Sequence, residues 1–447
     1  MKEIYKLKAS AARATVIAAA DLSRNADSPY KSYVTLICLI KERRFDIASQ
    51  WLESLEAANA HTKLARQEAL DLFELVAVLW AQRELVEETL DRDQAQLLKR
   101  LFVYLGGSRF FYDAARKPEA AVSLASYAST DYASPRQIEI LFRRSWWGEG
   151  ESRPHEIGTR LVNAFEQGGW SAALHGPDDS EGVVSGIRPD SILFLDLDFI
   201  GIAECSMIID RLPASVQTIG YVSDYHYFRQ TLDFAKVKNL ASGLSLFWTS
   251  TEDPAQHPEL LTLTNWTDFP LPLGIKEVSR QKAISNRSAA SNQPLFVGSI
   301  ERTCLPRIIY LADSIVEGQM RFDISSHLID NLSAEASYER YLDRITQSKI
   351  NLNFGGRYNG TTIRTGRIIE TIATSGLLVQ DHCPLSKRWF IEGEHFVGFH
   401  DEHDLPHKLE GLRSNPQQVL KISSEGCKYY EQHYTPQSLV RHISAFF

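Results

Sequence analysis

The sequence predicts an α/β protein with two doubly wound parallel sheets, preceded by a helical region. Two observations lead to this fold class. From about residue 134 onward, short apolar segments alternate with helical patterns, which is typical of parallel strands joined by crossover helices. Before that point, apolar residues recur at helical spacing and proline is scarce. The chain has 447 residues, more than one hydrophobic core usually organises, so we expect several domains.

Residues 1–133 are predicted to form an all-helical domain. Apolar residues repeat at three- and four-residue intervals in the stretches Phe45–Leu55 and Leu72–Leu79. Paired helices of this length resemble a tetratricopeptide-like stack of hairpins, although no internal period is clear. We interpret the apolar stripes as core.

Residues 134–280 are predicted to form the first α/β domain. A turn-rich loop is expected at Trp146–Gly150, and a helix is expected to begin near Pro154, because proline suits a first helical turn. Residues 281–293 are polar without an apolar period, and they are a candidate linker to the next domain. The predicted strands are Ile138–Phe142, Ser191–Asp198, Gln217–Val222 and Leu244–Phe247.

Residues 294–436 are predicted to form the second α/β domain, followed by a last helix within 437–447. The segment Leu377–Val379 is apolar on both faces, as a parallel strand covered by helices is. In such folds ligands bind at the carboxyl ends of the strands. The predicted strands are Leu295–Gly298, Arg321–Ile324, Lys349–Asn353, Leu377–Val379 and His395–Phe399.

Composition and charge argue against several classes of protein. The net charge of −8 argues against a broad nucleic-acid surface. The five cysteines are scattered without metal-ligand spacing, so we expect reduced thiols and no metal site. The N-terminus lacks the apolar region of a signal peptide, and the apolar run Tyr33–Ile40 is too short to span a membrane. A cytoplasmic enzyme without a membrane span is the resulting expectation.

The segment Arg364–Gln380 is the most informative part of the chain. It contains a basic, glycine-containing turn, a short helix that carries Glu370, and a buried strand. A helix N-terminus presents free N–H groups that suit a phosphate, and arginine binds phosphate bidentately. We therefore expect Arg367, and after it Arg364, to offset a diphosphate charge, while Glu370 accepts bonds from sugar hydroxyls.

Two further loops are expected at the same site. Gly298 and Ser299 end a predicted strand, where glycine permits a close backbone approach and serine donates to a phosphate. The loop Gly355–Thr362 follows another strand and contains three glycines and several donors. Within this loop, Arg357 and Thr362 are candidate contacts to the same nucleotide.

These segments resemble a known family. Arg364–Val379 is similar to the donor-site helix of GT-B glycosyltransferases, and most of all to the CgeB-like (spore-coat maturation, glycosyl transferases group 1) branch, whose pattern is R-x-F-E-x-x-A-x-G-x-x-L, with Ile369 in place of its Phe. The resemblance covers roughly residues 295–440 well and 190–275 weakly, and it does not cover the first 130. The further segments that carry it are Leu295–Ser299, Tyr338–Phe354, Glu392–Glu394 and Gly426–Tyr434.

The resemblance implies a GT-B fold: two Rossmann-like domains facing a cleft, with the nucleotide sugar on the second and the last helix crossing back to the first. It implies a nucleoside diphosphate sugar as donor substrate and no permanently bound cofactor. No Asp-x-Asp-like pair stands in a metal-loop context, so we expect catalysis without metal. Tyr358–Gly360 occupies the place of the first glutamate of classical retaining relatives, which leaves inversion or retention open.

The candidate general bases lie in the first α/β domain. Asp224 and His226 follow a predicted strand, in a loop that resembles the aspartate-bearing loop of the family. Either side chain is suited to deprotonate an acceptor hydroxyl. The loop Gly148–His155 offers Glu149, Glu151 and His155 as alternatives. For Asp198, at the end of another strand, we expect a structural contact, with a position in the cleft as the alternative.

The sequence thus predicts a cytoplasmic, metal-independent hexosyltransferase that uses a nucleotide sugar. Its acceptor is predicted to be a hydroxyl, on a protein such as a surface or flagellar subunit, which the helical domain selects. The alternative for that domain is to support the catalytic core or to form a homodimer. The rival function is a non-catalytic GT-B scaffold for binding or assembly.

Overall fold

The structure is a computed structural model of the chain, and all structural statements concern the residues it describes. These are residues 32–33, 35–36, 39, 44–57, 97, 100–101, 124–127, 136–147, 151–154, 156–223, 234–250, 257–298, 321–324, 334–355, 364–381, 386–400 and 404–447.

The described residues of the predicted N-terminal domain between 32 and 101 are helical, apart from Arg44, which precedes the first complete helix. Helix α1 spans Phe45–Ala57 and buries Ala48, Leu52 and Leu55 on one face, as their spacing predicts. The Arg100 guanidinium donates to Glu56 at 3.0 Å, which ties a later helical segment to α1. The predicted helix at Leu72–Leu79 lies outside the described residues.

The first α/β unit is a six-stranded sheet in which every strand pairing is parallel. Its strand order is β4-β1-β5-β6-β7-β8. All five residues of β5 are buried, as expected for a strand covered on both faces. The elements are β1 (Gln137–Leu141), β2 (Arg144–Trp147), β3 (Glu151–Pro154), α2 (Glu156–Gln167), β4 (Ser171–His175), α3 (Ser180–Gly186), β5 (Ile192–Asp196), α4 (Leu197–Ile200), α5 (Ile202–Asp210), β6 (Gln217–Tyr221), α6 (Phe234–Ser242), β7 (Leu246–Trp248) and β8 (Trp266–Thr267), with short 3-10 helices at Pro177–Asp179 and Pro258–Thr262.

Two local predictions for this unit need correction. Trp146 and Trp147 were expected in a loop, but they belong to β2, which pairs antiparallel with β3. The glycines on either side of Glu149 favour a turn, but the aromatic residues before them favour a strand, and the strand forms. The strand predicted to reach Asp198 ends at Asp196, and Asp198 lies in the short helix α4.

The candidate linker is largely helical. Helix α7 spans Glu277–Ser288 and buries Arg280, Ala283 and Arg287. These positions share one face at three- and four-residue spacing, but two of them are arginines. The spacing of apolar residues therefore does not predict this helix, although one of its faces is buried.

The second α/β unit is a five-stranded parallel sheet with the order β10-β9-β11-β12-β13. Each strand lies within two residues of its predicted bounds. The elements are β9 (Leu295–Gly298), β10 (Arg321–Ile324), α8 (Ala334–Ile345), β11 (Ile350–Asn353), α9 (Gly366–Ala373), β12 (Leu377–Asp381), α10 (Ser386–Trp389), β13 (Phe396–Phe399), α11 (Asp404–Ser414), α12 (Pro416–His433) and α13 (Pro436–Ser444).

The last helix returns to the first unit. Helix α13 packs on α2 so closely that a Cβ at Gly168 would overlap the Val440 side chain. His442 lies 2.7 Å from the Thr267 hydroxyl, and the Gln437 amide donates to the Gln167 carbonyl at 2.8 Å. The crossover expected of the last helix is therefore present.

Together, the two parallel α/β units joined in this way have the predicted GT-B architecture. One apolar cluster runs from β1 and α2 of the first unit through α9 of the second unit to α13. None of the described helices combines the length and the apolar character needed to cross a bilayer.

Candidate functional site

The carboxyl end of β11 organises the segment that precedes α9. The Asn353 side chain is fully buried, and its Oδ1 accepts from the Thr365 hydroxyl at 2.8 Å and from Arg367 at 3.3 Å. Its Nδ2 donates to Gln380 at the end of β12, at 2.7 Å. A buried amide with three partners holds its rotamer, so Asn353 fixes both the start of α9 and the place of Arg367.

The first residue of α9, Gly366, is exposed at the start of the helix. Thr365 stands at the N-cap, but its hydroxyl binds Asn353 and makes no capping bond to the helix. Gly366 follows and is exposed; a Cβ there would lie 3.0 Å from Glu370 Oε1 and 3.5 Å from Arg160 Nη1. A helix start of this kind carries partial positive charge and backbone donors, which suit an anion.

Arg367 spans the ends of two strands. Its guanidinium lies 4.9 Å from the centre of the Phe296 ring on β9, and its Nε donates to the Tyr341 hydroxyl at 3.2 Å. Gly298 ends β9 two residues after Phe296. The side chain is half-buried, so a cation is held in a fixed position at the carboxyl edge of the second sheet.

Glu370 is buried, and its carboxylate has partners from both units. Its Oε1 accepts from the Tyr338 hydroxyl at 3.0 Å and forms an ion pair with Arg160 Nη1 at 3.2 Å. Arg160 lies on α2 of the first unit, and its guanidinium stacks over the Tyr338 ring at 4.5 Å. Tyr341 accepts from Arg367, and its ring stacks on that of Tyr338, which donates to Glu370, so the two tyrosines connect the predicted site residues.

Arg364 is placed differently from the prediction. It has no exposed surface, its Nη1 donates to Asp268 Oδ2 at 2.9 Å, and its guanidinium stacks 4.3 Å from the Trp389 ring centre. Asp268 comes directly after β8 of the first unit. The prediction that Arg364 faces a diphosphate therefore needs correction, because Arg364 meets a protein carboxylate at the junction of the units.

Asp268 is the centre of this junction. Arg388 Nε also donates to its Oδ2 at 2.9 Å, and the Tyr127 hydroxyl donates to its Oδ1 at 3.2 Å. Burial raises the pKa of the Asp268 carboxyl, but Arg364 and Arg388 outweigh the burial and hold the pKa below its usual range. Asp268 is therefore a carboxylate at neutral pH and joins the first unit to two arginines of the second.

Residues 124–127 contribute to the same junction. Trp389 Nε1 donates to the Tyr127 hydroxyl at 3.1 Å, and the Ala125 backbone N–H donates to the Arg388 carbonyl at 2.9 Å. The Tyr127 ring packs edge-on against Phe269. Although the sequence assigns these residues to the helical domain, they form no helix here and contact both α/β units.

An ionic cluster lies at the carboxyl edge of the first sheet. Arg143 binds Asp196 through two bonds of 2.6 Å and reaches Asp198 at 3.1 Å. Asp198 Oδ2 accepts from the Ser223 backbone N–H at 2.7 Å and also from its hydroxyl. Asp198 thus makes the structural contact that we expected, and the cluster fixes Ser223, the residue before Asp224.

The remaining predicted site residues lie outside the described residues, and their roles stay predictions. For Glu151 only the backbone is described, as part of β3. Among the described side chains, no group of three or more His, Cys, Asp or Glu is arranged to hold a metal ion. The residues outside are His155, Asp224, His226, Ser299, Arg357 and Thr362, together with Glu149.

Sequence reasoning missed the partners that hold the predicted residues. Arg160 and Asp268 lie far from the motif in sequence, and only the packing of the two units brings them to it. One signal was available for Asn353: an amide at the end of a predicted strand, followed by two glycines. Tyr338 and Tyr341 lie in a segment that the resemblance covered, but their hydroxyls were not singled out.

Comparison with known proteins gives a family match for part of the chain. Residues 317–445, less than half of the sequence, match a family model described as glycosyl transferase-like. This stretch contains α8, β11 and α9, and with them Asn353, Arg367 and Glu370. No curated protein sequence matches the chain.

Three solved structures are distantly similar to the chain. A variant of S. aureus TarM, crystallised with fondaparinux, α-GlcNAc-glycerol and UDP, is 13% identical with a TM-score of 0.39; the match covers 60% of this chain and 57% of TarM. Anabaena HepE in complex with UDP and glucose is 11% identical with a TM-score of 0.45, covering 69% and 98%. A glycosyltransferase from Rickettsia africae is 10% identical with a TM-score of 0.41, covering 69% and 96%. Likenesses this distant assign no ligand or activity.

Proposed function

We propose that the protein is a glycosyltransferase that moves a sugar from a nucleotide sugar to an acceptor hydroxyl. The observation that carries this proposal is the convergence of Arg367, the exposed start of α9 and Glu370 at the carboxyl edge of the second sheet. All three lie within the stretch that matches the glycosyl transferase-like family. A cation, a helix N-terminus and a carboxylate one turn later are the groups that a nucleoside diphosphate sugar requires.

Each group has a distinct role in this proposal. Arg367 and the N–H groups of α9 offset the charge of the diphosphate, which also stabilises it as leaving group. Glu370 accepts a hydrogen bond from a hydroxyl of the ribose or the sugar. Tyr341 accepts from Arg367 and Tyr338 donates to Glu370, and the stacking of the two rings helps to keep Arg367 and Glu370 at a fixed separation. Because Arg367 supplies the positive charge, we propose hexosyl transfer without a divalent metal and without a permanently bound cofactor.

The general base is proposed on the first unit. Asp224 directly follows Ser223, which Asp198 holds at the carboxyl end of β6. His226 lies two residues further on, and His155 is the alternative candidate. Deprotonation of the acceptor hydroxyl by one of these groups, next to a positioned donor, is the expected chemistry. The likeness of Arg364–Val379 to the CgeB-like pattern is the basis on which we propose that branch, and the unpaired cysteine pattern favours the cytoplasm.

Donor binding is expected to weaken when either site residue is changed. We expect Arg367→Ala and Glu370→Gln each to reduce the affinity for the best nucleoside diphosphate by about 1–3 kcal/mol, the range for a hydrogen bond to a charged group. Glutamine is preferred to alanine because it keeps an acceptor oxygen for Arg160 and Tyr338. The measurement is a thermal-shift panel of UDP, GDP, ADP, CDP and dTDP, followed by calorimetric titration of the best ligand.

The matched control for this test is Arg413→Ala, which removes a surface arginine of α11. All titrations contain excess chelator, and a requirement for added Mg²⁺ or Mn²⁺ would contradict the metal-free account. Unchanged affinity in both site variants would refute the donor site. Binding without any sugar transfer or donor hydrolysis would instead favour the rival function, a non-catalytic scaffold.

The helical N-terminal region is proposed to select a protein acceptor, such as a surface or flagellar subunit. We expect removal of residues 1–123 to leave donor hydrolysis intact and to abolish transfer to the native acceptor. The truncation begins at Leu124 because Ala125 and Tyr127 bind Arg388 and Asp268 at the junction of the units. Transfer equal to that of the full chain would overturn acceptor selection. If the full chain forms a dimer at concentrations at which the truncated chain is a monomer, the alternative role in self-association is supported.

A further inference from the structure

A cavity lies at the opposite edge of the second sheet from the candidate donor site. Its volume is about 440 Å³. Lys349, which precedes β11, and Ser375, which precedes β12, line it at the amino ends of the strands. Strands of four to five residues separate it from Asn353 and Arg367, a distance of roughly 15 Å at about 3.3 Å per residue. The two sites are therefore separate.

The charged residues that line this cavity are all cations. Arg287, Lys349 and Lys421 line it together with four serines, and no carboxylate is among its described lining residues. The neighbouring acid on α12, Glu425, is engaged by Lys428 at 2.8 Å. Three cations around one small cavity, in a chain with a net charge of −8, favour an anionic occupant.

Arg287 is the most informative of these cations. It is 1% exposed, and its recorded hydrogen bonds go to neutral acceptors: the Ser348 and Thr374 carbonyls, the Thr374 hydroxyl and the Asn351 side-chain oxygen. Burial lowers the pKa of Arg287 to about 9. A buried guanidinium is costly when carbonyl dipoles alone balance its charge.

The sequence around Arg287 keeps the cation in this place. A Cβ at Gly376 would lie 2.6 Å from the Arg287 guanidinium carbon, so this position of the motif requires glycine because of Arg287. The other donors that line the cavity are the ammonium groups of Lys349 and Lys421 and the hydroxyls of Ser375 and Ser424. Ammonium and hydroxyl donors around a guanidinium are the groups that bind a phosphate. Leu420, which is 55% exposed, also lines the cavity and offers an apolar surface beside the cations.

We propose that this cavity binds a small phosphate monoester, with the phosphate between Arg287, Lys349 and Lys421 and the organic part against Leu420. Binding there neutralises the buried cation and links α7, α12 and the starts of β11 and β12. This ligand would bind away from the donor site, so the proposal does not depend on the proposed glycosyl transfer.

The test measures binding of phenyl phosphate and inorganic phosphate to the full-length protein by calorimetry at pH 8, where both are largely dianions. We expect phenyl phosphate to bind with a Kd of about 1 mM or tighter, and Lys349→Ala/Lys421→Ala to weaken it at least about tenfold. The control Lys238→Ala/Lys282→Ala removes the same charge from exposed positions of α6 and α7 and is expected to bind as the wild type does.

The variants separate this cavity from the donor site. Arg367→Ala is expected to leave phenyl phosphate binding unchanged, even if nucleotide binding is lost. Loss of binding in Arg367→Ala but not in the lysine double variant would overturn the proposal, as would the absence of binding to the wild type. Tighter binding of phenyl phosphate than of inorganic phosphate supports a monoester, whereas equal affinity contradicts the part assigned to Leu420. Unchanged melting temperatures in the lysine variants show that binding, rather than folding, is altered.

Discussion

Replacement of Asp268 by asparagine is expected to lower the free energy of unfolding by about 3–5 kcal/mol, the cost of removing one partner from a buried ion pair. The change removes the Asp268 charge from the guanidinium of Arg364, which has no exposed surface, and it also weakens the contact with Arg388. Both arginines belong to the second unit and Asp268 to the first, so the loss acts on the junction. Urea denaturation followed by tryptophan fluorescence measures the effect, because Trp389 stacks on Arg364.

The effect of Asp268→Asn is also expected to depend on pH. The pKa of Asp268 is lower in the folded protein than in the unfolded chain, so its contribution to stability is complete above the unfolded value of about 4. That contribution is lost as the pH falls through the lower folded value. The difference between wild type and variant should therefore shrink below about pH 4. The control Asp210→Asn changes an exposed carboxyl of α5 and is expected to have little effect at any pH. A loss for Asp268→Asn as small as that of the control would contradict the role of the junction.

The second large effect is expected at the ion pair between Arg160 and Glu370. Arg160→Met should destabilise the protein by about 3–5 kcal/mol, because it leaves the buried Glu370 carboxylate without a cation. In the double variant Arg160→Met/Glu370→Gln, both charges are removed. It is expected to recover most of the loss, since a neutral and well-packed pair is less costly than one isolated charge. Denaturant unfolding of the two single variants and the double variant gives the coupling energy.

An exposed ion pair provides the control for this double-mutant cycle. Arg211 and Glu181 form two bonds of 2.6 Å, a shorter geometry than that of Arg160 and Glu370, but both side chains are exposed. Solvent screens such pairs, so Arg211→Met is expected to change stability little. Two results would contradict this account: losses of stability in Arg160→Met and Glu370→Gln that add up in the double variant, or a loss for Arg211→Met as large as that for Arg160→Met. Either would show that burial does not determine how much these ion pairs contribute to stability.

The strands of the second unit could be located from the sequence because their signal is local. Leu377–Val379 is apolar on both faces, and the strand observed there begins at Leu377 and is buried over its first four residues. Helix α7 shows the limit of the same reasoning. Its buried stripe contains Arg280 and Arg287, and a guanidinium is buried only where the fold supplies acceptors, such as the Ala373 and Thr374 carbonyls. Those acceptors lie about ninety residues away in sequence, so no local pattern reports them.

The candidate site divides in the same way. The sequence by itself determined that Arg367, a helix start and Glu370 lie together, because their spacing within one segment places them on one helical turn and its approach. It did not determine that Arg364, three residues before Arg367, turns away into the junction. Only the tertiary structure decided this, since Asp268 and Arg160 come from the other α/β unit. Arg364 is buried because it pairs with Asp268 of the first unit, whereas Arg367 stays half-buried at the edge of the sheet. The packing of the two units therefore decides which of the two arginines remains accessible.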